Sequence, residues 1–289
     1  MLYPLSYEGG RPRWAAAGRP RSDTDISIQG EGPYYALGMT APASAAPEDL
    51  LYIPDVATTR FYVGALALLS VLQYFVAEAA VIGAWSGPKP YSRRTGYISD
   101  LGAVGCGVFD GRDVCSPAHL LMNASFVVQG IGMMVGSLLL TSALLCVAAR
   151  RGVPVQRRTG WRAPSRAAQA ARLFSFAAGT GTVVVGLVPE DAGSGWHEAG
   201  AVTYFVAGAL ALLVLGWLWV RQTALGWLIL VCGGVTLAAL ITAWVTAMAV
   251  PEPGTLERLM GYPITVGMAA GGLVVAQRVR SAVVARAAR

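Results

Sequence analysis

His119 and His197 are the only histidines in this 289-residue chain, and each begins a long apolar run. Asn123 follows His119 by four residues, a spacing that shares one helical face. His197 follows the polar turn 189–196, which carries Glu190 and Asp191. Histidines beside carboxylates are the raw material of a metal site, a proton relay or a polar-headgroup site. Capping a helix or bonding a neighbouring loop is the plainer role for the same residues. No His-x-x-x-His or His-Glu-x-x-His spacing occurs, so no metal and no other cofactor is expected. Ser99 and Ser116 are the only nearby hydroxyl nucleophiles, and neither sits in a nucleophile-elbow motif.

Cys106 and Cys115 lie ten positions apart, counted inclusively, in a glycine-containing loop. On an oxidising face such a pair is expected to form a disulfide. Their spacing is not Cys-x-x-Cys, which suits zinc poorly. Cys146 and Cys232 fall inside apolar runs and read as small buried residues. Glu78 is the sharpest anomaly. It interrupts an apolar run seven residues before Trp85, which is ~10 Å of helix below the membrane surface. An acid at that depth must face the bundle, carry a proton or meet a partner, and intramembrane acids mark function by default. Glu252, Glu257 and Arg258 read more simply, as a solvated charge cluster in a loop.

These residues need membrane-spanning helices to position them. The chain is 55% hydrophobic and 13% charged, against about a quarter charged in soluble domains. Six runs are long enough to cross a ~30 Å hydrocarbon core: about 61–85, 119–148, 172–189, 197–220, 225–249 and 261–277. The second exceeds one span and is expected to tilt or protrude. The third is short and rich in glycine and threonine, which places it inside the bundle. Gly132 with Gly136 and Gly267 with Gly271 have the small-residue spacing of close helix contacts.

Orientation follows from arginine. Arg150, Arg151, Arg157, Arg158, Arg162, Arg166 and Arg172 fill the segment 149–173, which contains no acid. Basic loops stay cytoplasmic. Alternation then puts both termini inside and the loops 86–118, 190–196 and 250–260 outside. The first outer loop breaks the pattern mildly with Lys89, Arg93, Arg94 and Arg112. Trp85, Trp196, Trp244 and Tyr262 fall near outer helix ends, and Phe61, Tyr62, Trp217, Trp219 and Trp227 near inner ends, as interfacial belts do. The fold class is therefore all-α, an integral membrane six-helix bundle with cytoplasmic N- and C-termini. Residues 1–58 form a disordered cytoplasmic tail, 59–280 the transmembrane domain and 281–289 a basic cytoplasmic tail. The net charge of +6 belongs to membrane-flanking arginines, so no nucleic-acid partner is expected. Of the 22 basic residues only Lys89 is lysine. With abundant alanine and glycine, this points to a high-GC bacterial genome and a bacterial plasma membrane.

Three segments carry a resemblance: Tyr97-Ile98-Ser99-Asp100-Leu101-Gly102, the run from Cys115 to Ser125 containing His119 and Asn123, and Gly186-Leu187-Val188-Pro189-Glu190-Asp191 followed by His197. Together they resemble the bacterial membrane family called domain of unknown function 998, itself similar to the Frag/DRAM/Sfk group of six-helix membrane proteins. The likeness covers roughly residues 60–277, and Ser99, Asp100, Asn123, Pro189, Glu190, Asp191 and His197 match its motif positions. It implies a role in lipid remodelling or organisation. The Cys106–Cys115 stretch looks like a subgroup elaboration.

The resulting expectation is an outward-facing polar pocket built from Ser99, Asp100, His119, Asn123, Glu190, Asp191 and His197, with Glu78 beneath. It would recognise or organise a membrane lipid or another amphiphile. The alternatives are a headgroup enzyme with His197 as general base, and a proton- or cation-coupled transporter using Glu78.

Overall fold

The computed structural model describes residues 55–150 and 162–288, with side chains described from 165 in the second stretch. Positions 1–54 of the expected tail, and Arg151, Arg157 and Arg158 of the basic segment, lie outside the described residues. The remainder is an all-α bundle with six helical segments long and apolar enough to cross a membrane.

The first span is built from two helices, α1 (Thr59–Leu69) and α2 (Gln73–Gly83), joined by a 3₁₀ turn at Ser70–Leu72. Ser70 Oγ donates to the Ala67 carbonyl, and Gln73 Nε2 reaches across to the Ser125 carbonyl at 2.9 Å. Both bonds occupy carbonyls that lipid could not satisfy.

The second span is α3 (His119–Leu139). The expected run to 148 does not continue as one helix. Leu140 turns extended, and Thr141 caps the separate short helix α4 (Ser142–Ala148) by accepting from the Leu144 amide. Arg60 donates to the Leu138 and Leu139 carbonyls and Arg172 to that of Ser137. Cations thus occupy the carbonyl end of α3, where the helix dipole favours them.

Helix α5 (Arg162–Leu187) begins ten residues before the position expected from hydropathy, so Arg162, Arg166 and Arg172 are helical rather than loop residues. Then come α6 (Trp196–Trp219), α7 (Ala224–Thr246) and α8 (Pro253–Ala287). Proline at the first position starts α8 well before residue 261, because its missing N–H is one that a helix start leaves unbonded anyway. That corrects the expected 250–260 loop, and it takes Glu257 and Arg258 out of solvent into the bundle. At its other end α8 stays helical through the segment read as a basic tail.

Glycines set the closest approaches. A methyl group added to Gly130 would lie 2.4 Å from the Gly179 carbonyl oxygen, so α3 and α5 pack backbone to backbone. Gly132 stands in the same relation to Ala67 of α1, and Gly267 faces Leu212 of α6. Trp219 and Tyr262 are not belt residues. Trp219 is fully buried, with Nε1 donating to the Leu145 carbonyl, and Tyr262 bonds inward, as described below.

The 86–118 loop carries the only strands among the described residues, an antiparallel hairpin of β1 (Gly107–Phe109) and β2 (Arg112–Val114) in the register Phe109↔Arg112. Asp110 and Gly111 both have positive φ (46° and 73°), the Asp-Gly signature of a tight hairpin turn. A disulfide joins Cys106 to Cys115 at its base. Cross-linking so short a loop constrains the unfolded chain by about 2–3 kcal/mol. The double substitution Cys106→Ala/Cys115→Ala is expected to lower thermal stability by that amount. A melting temperature unchanged on reduction would contradict this.

Candidate functional site

The polar groups gather at one end of the bundle in three linked layers. The outermost is centred on Arg112, which the hairpin projects inward. Its Nε and Nη2 donate to Asp100 Oδ1 at 3.1 and 3.0 Å, Nη2 also to Glu190 Oε1 at 2.9 Å, and Nη1 to Asp110 at 3.0 Å. The guanidinium lies over the Tyr97 ring, 4.3 Å from its centroid, within cation–π range. Asp100 Oδ2 accepts from the Tyr97 amide, and Asp191 accepts from the amides of Val104 and Gly105 at 3.1 and 2.7 Å. Two motifs about 90 positions apart are thereby clamped together.

The Ser99–Gly102 turn (3₁₀) seats this layer on the helices. Gly102 O accepts from Asn123 Nδ2 at 2.9 Å, and a methyl group on Gly102 would lie 2.4 Å from Asn123 Oδ1. Only glycine lets the turn sit this close to α3. Ser116 Oγ donates to the Leu101 carbonyl.

The histidines do not neutralise these acids. His119 Nδ1 is 3.0 Å from the Ser116 carbonyl and His197 Nδ1 is 2.8 Å from that of Val188. A carbonyl can only accept, so in each ring Nδ1 carries the proton. The compensating cation is Arg112, which the charge-counting rule marked only as an outlier. An arginine in an outer loop was the available signal.

Glu190 is held in this layer with little water around it. Burial first, then the neighbouring Asp100 charge, pushes its carboxyl up to about 7, and Arg112 offsets only part of this. Glu257 adds a weaker repulsion. Between about 4.5 and about 7 the folded state therefore binds more protons at Glu190 than the unfolded chain, and ionising it lowers stability as pH rises through that window. Unfolding free energy is expected to fall from pH 5 to pH 7.5 by an amount on the order of 2 kcal/mol, read as a lower melting temperature, and Glu190→Gln should flatten the slope. A wild-type profile that rises across the window would contradict this.

The second layer lies within the span depth. Arg258 Nε and Nη2 donate to Glu78 Oε1 at 3.0 and 2.8 Å, and Tyr262 Oη donates to Glu78 Oε2. The same guanidinium donates to the carbonyls of Arg93, Gly96 and Gly254 and to Tyr91 Oη. Glu78 and Arg258 are both buried. Every donor on this arginine is used, and the outer loop is tied to α8 through it. Glu78 thus meets a partner that had been read as a solvated charge.

The third layer is a cavity of about 40 Å³ between α2, α3, α5, α6 and α8, closed above by Ile98 and Ser99. Its wall includes Glu257, His197, Tyr74, Gln129, Tyr204 and Thr265. Glu257 accepts from the Ile98 amide and from Ser99 Oγ (2.9 Å). Gln129 Nε2 donates to Tyr204 Oη and Thr265 Oγ1. Nε2 of His197 and the Tyr74 hydroxyl are buried and have no hydrogen-bond partner among the described residues. Unsatisfied buried polar atoms cost ~1–3 kcal/mol each, so two on one cavity wall mark a place where something polar is accommodated.

The Protein of unknown function (DUF998) family model matches residues 67–274, most of the chain and all three layers. The chain belongs to the DUF998 family. No curated protein and no solved structure matches it. The DUF998 region contains Ser99, Asp100, Asn123, Glu190, Asp191 and His197, and the geometry now gives each a physical task. Ser99 faces the cavity and Asp100 the Arg112 clamp, so two adjacent residues join the inner and outer layers. Sequence reasoning missed Glu257, Arg258 and Arg112, and it also missed the wall residues Tyr74, Gln129, Tyr204 and Thr265, whose types carry no signal in an apolar helix. No group of three or more His, Cys, Asp or Glu side chains among the described residues has a metal-binding arrangement.

Proposed function

We propose that this DUF998 protein binds a membrane amphiphile at the outer end of its bundle, with the polar end of the ligand seated in the cavity beneath the Arg112 clamp. The observation that carries this is the pair of unpartnered polar atoms, on His197 and Tyr74, in a cavity at span depth. Cavities between bundle helices that set convergent polar groups against apolar side chains are typical ligand sites. Phe126, Val185, Ala201 and Phe205 form the apolar part of this wall. Val202 and Val206 on α6 are exposed and present an apolar surface that suits an acyl chain. Binding is favoured over catalysis because both serine hydroxyls are committed elsewhere, Ser99 to Glu257 and Ser116 to a carbonyl. It is favoured over proton transport through Glu78 because that carboxylate is already held by three hydrogen bonds from Arg258 and Tyr262.

Gly261 gives a clean test. A methyl group built there meets only Phe205 and Ile98 side chains, at 3.7 and 3.9 Å. Gly261→Val should fill the cavity without moving backbone. Wild-type protein extracted in native lipid and analysed by native mass spectrometry is expected to retain a lipid that Gly261→Val loses. Equal retention by both would overturn the reading.

The same reading places this end of the bundle outside the cell, at a plasma membrane, and both termini in the cytoplasm. The disulfide at this end and the arginines 150, 166 and 172 towards the other support it. Cysteines introduced at Asp191 should react with impermeant reagent on intact cells, and at Arg158 only after permeabilisation. The reverse pattern would invert the orientation.

A further inference from the structure

We infer that the cavity selects a primary ammonium group, carried by an aminophospholipid headgroup or by a free amine. This rests on the cavity being a ligand site and adds the chemical class of the ligand.

The hydrogen-bond inventory of the wall is one-sided. Gln129 spends its amide donors on Tyr204 and Thr265, Thr182 donates to the Ala178 carbonyl, and Tyr204 and Thr265 donate to that of Gly261. What remains is mostly acceptor. Nδ1 of His197 holds a proton toward Val188 O, so the tautomer with that single ring proton has its acceptor lone pair on Nε2, at the cavity wall. Glu257 accepts one bond at each oxygen and keeps a lone pair on each. Tyr74 Oη can accept as well as donate.

Charge points the same way. Glu257 is 7% exposed, yet none of the ion pairs among the described residues includes it; its two bonds come from a neutral amide and a neutral hydroxyl. The nearby cations are committed, Arg258 to Glu78 and Arg112 to Asp100, Asp110 and Glu190. A buried carboxylate without a counter-cation is costly, and a bound cation removes that cost.

The alternatives fit less well. A phosphate would face the carboxylate with a single hydroxyl to donate to it. A transition metal would find one carboxylate and one imidazole, too few for a site. A quaternary ammonium has no N–H for the acceptors. A primary ammonium brings one positive charge and three donors, matching Glu257, His197 and Tyr74. The rings of Tyr74, Phe126 and Phe205 on the same wall add favourable quadrupoles for a cation.

The test uses the full chain in nanodiscs of phosphatidylglycerol doped equally with phosphatidylethanolamine and its mono-, di- and trimethylated forms, with retained lipid read by native mass spectrometry. Retention is expected to fall stepwise with methylation, by at least tenfold from the primary to the quaternary amine. Glu257→Gln should abolish that discrimination. His197→Phe, which removes the acceptor and keeps a ring, should weaken it even if Glu257→Gln fails to fold. Displacement of the lipid by soluble ethanolamine would support the ammonium site and identify a free amine as sufficient. Failure of ethanolamine to displace it, with the methylation series intact, would support the site and assign it to the lipid headgroup. Equal retention of all four forms, lost only in Gly261→Val, would overturn the ammonium assignment and leave amphiphile binding standing. Retention of none of them, or of phosphatidylglycerol alone, by wild type and Gly261→Val alike would overturn both.

Discussion

Arg258→Ala is expected to destabilise the protein by about 3–5 kcal/mol, the usual consequence of leaving one member of a buried ion pair without its partner. The loss is more than an ion pair. Arg258 also holds the carbonyls of Arg93, Gly96 and Gly254 and the Tyr91 hydroxyl, so the outer loop should detach from the start of α8. Proteolysis between residues 86 and 98 should accelerate together with the fall in melting temperature. Glu78→Gln should cost less, since it keeps oxygen and shape for Tyr262 while removing the charge that Arg258 needs. The combination Glu78→Leu/Arg258→Met should recover much of the Arg258→Ala loss, because replacing both charges by apolar groups removes the desolvation term. If Arg258→Ala melts within a degree of wild type, the second layer is not a structural lock and Glu78 regains its standing as a functional acid.

Arg112→Ala carries the second large effect, about 2–4 kcal/mol, somewhat below the buried pair because Arg112 and Glu190 keep partial contact with water. Asp100 is nearly inaccessible and would be left beside Glu190 with no cation between them. Two carboxylates so placed cannot both stay ionised cheaply. The variant should therefore lose stability most above pH 7 and recover in part near pH 5. Arg112→Lys should rescue only partly, because one ammonium cannot reproduce the forked contacts to Asp100, Asp110 and Glu190. Thermal unfolding across pH, with and without the disulfide, separates these outcomes. An Arg112→Ala profile parallel to wild type would mean that the clamp does not hold the layers together.

The six spans could be read from the chain because each is a run of about 20 apolar residues, and lipid allows such a run one structure. The pairing of Cys106 with Cys115 was readable for a similar reason, since two cysteines so close in one loop have few other fates in an oxidising compartment. Helix ends were less legible. Hydropathy started α8 at about 261, although Pro253 is a helix-start signal that stands eight residues earlier. It also joined α3 to α4 across the extended Leu140, because apolar composition does not report a backbone turn. The hairpin had its own signal in Asp110-Gly111, which an all-helical reading passes over.

Some residues of the candidate site, such as Asp100, Glu190 and His197, could be singled out in the sequence, but their partners and most of the cavity wall could not. Sequence spacing shows which side chains share a helix face, and Asn123 under Gly102 is the kind of contact that lies just beyond it. Arg112 reaches Glu190 across 78 positions and Arg258 reaches Glu78 across 180. Which cation answers which acid is set by how α3, α5, α6 and α8 dock, and that depends on glycine contacts such as Gly130 against Gly179 rather than on any local pattern. The chain alone therefore determined that this is a six-span membrane protein with acids and histidines at one end, because hydrophobicity and length are properties of a segment. Only the tertiary structure decided that arginines neutralise those acids, that Glu257 is buried without a cation, and that His197 turns a free nitrogen to the wall of a cavity, because charge compensation and burial are properties of neighbours.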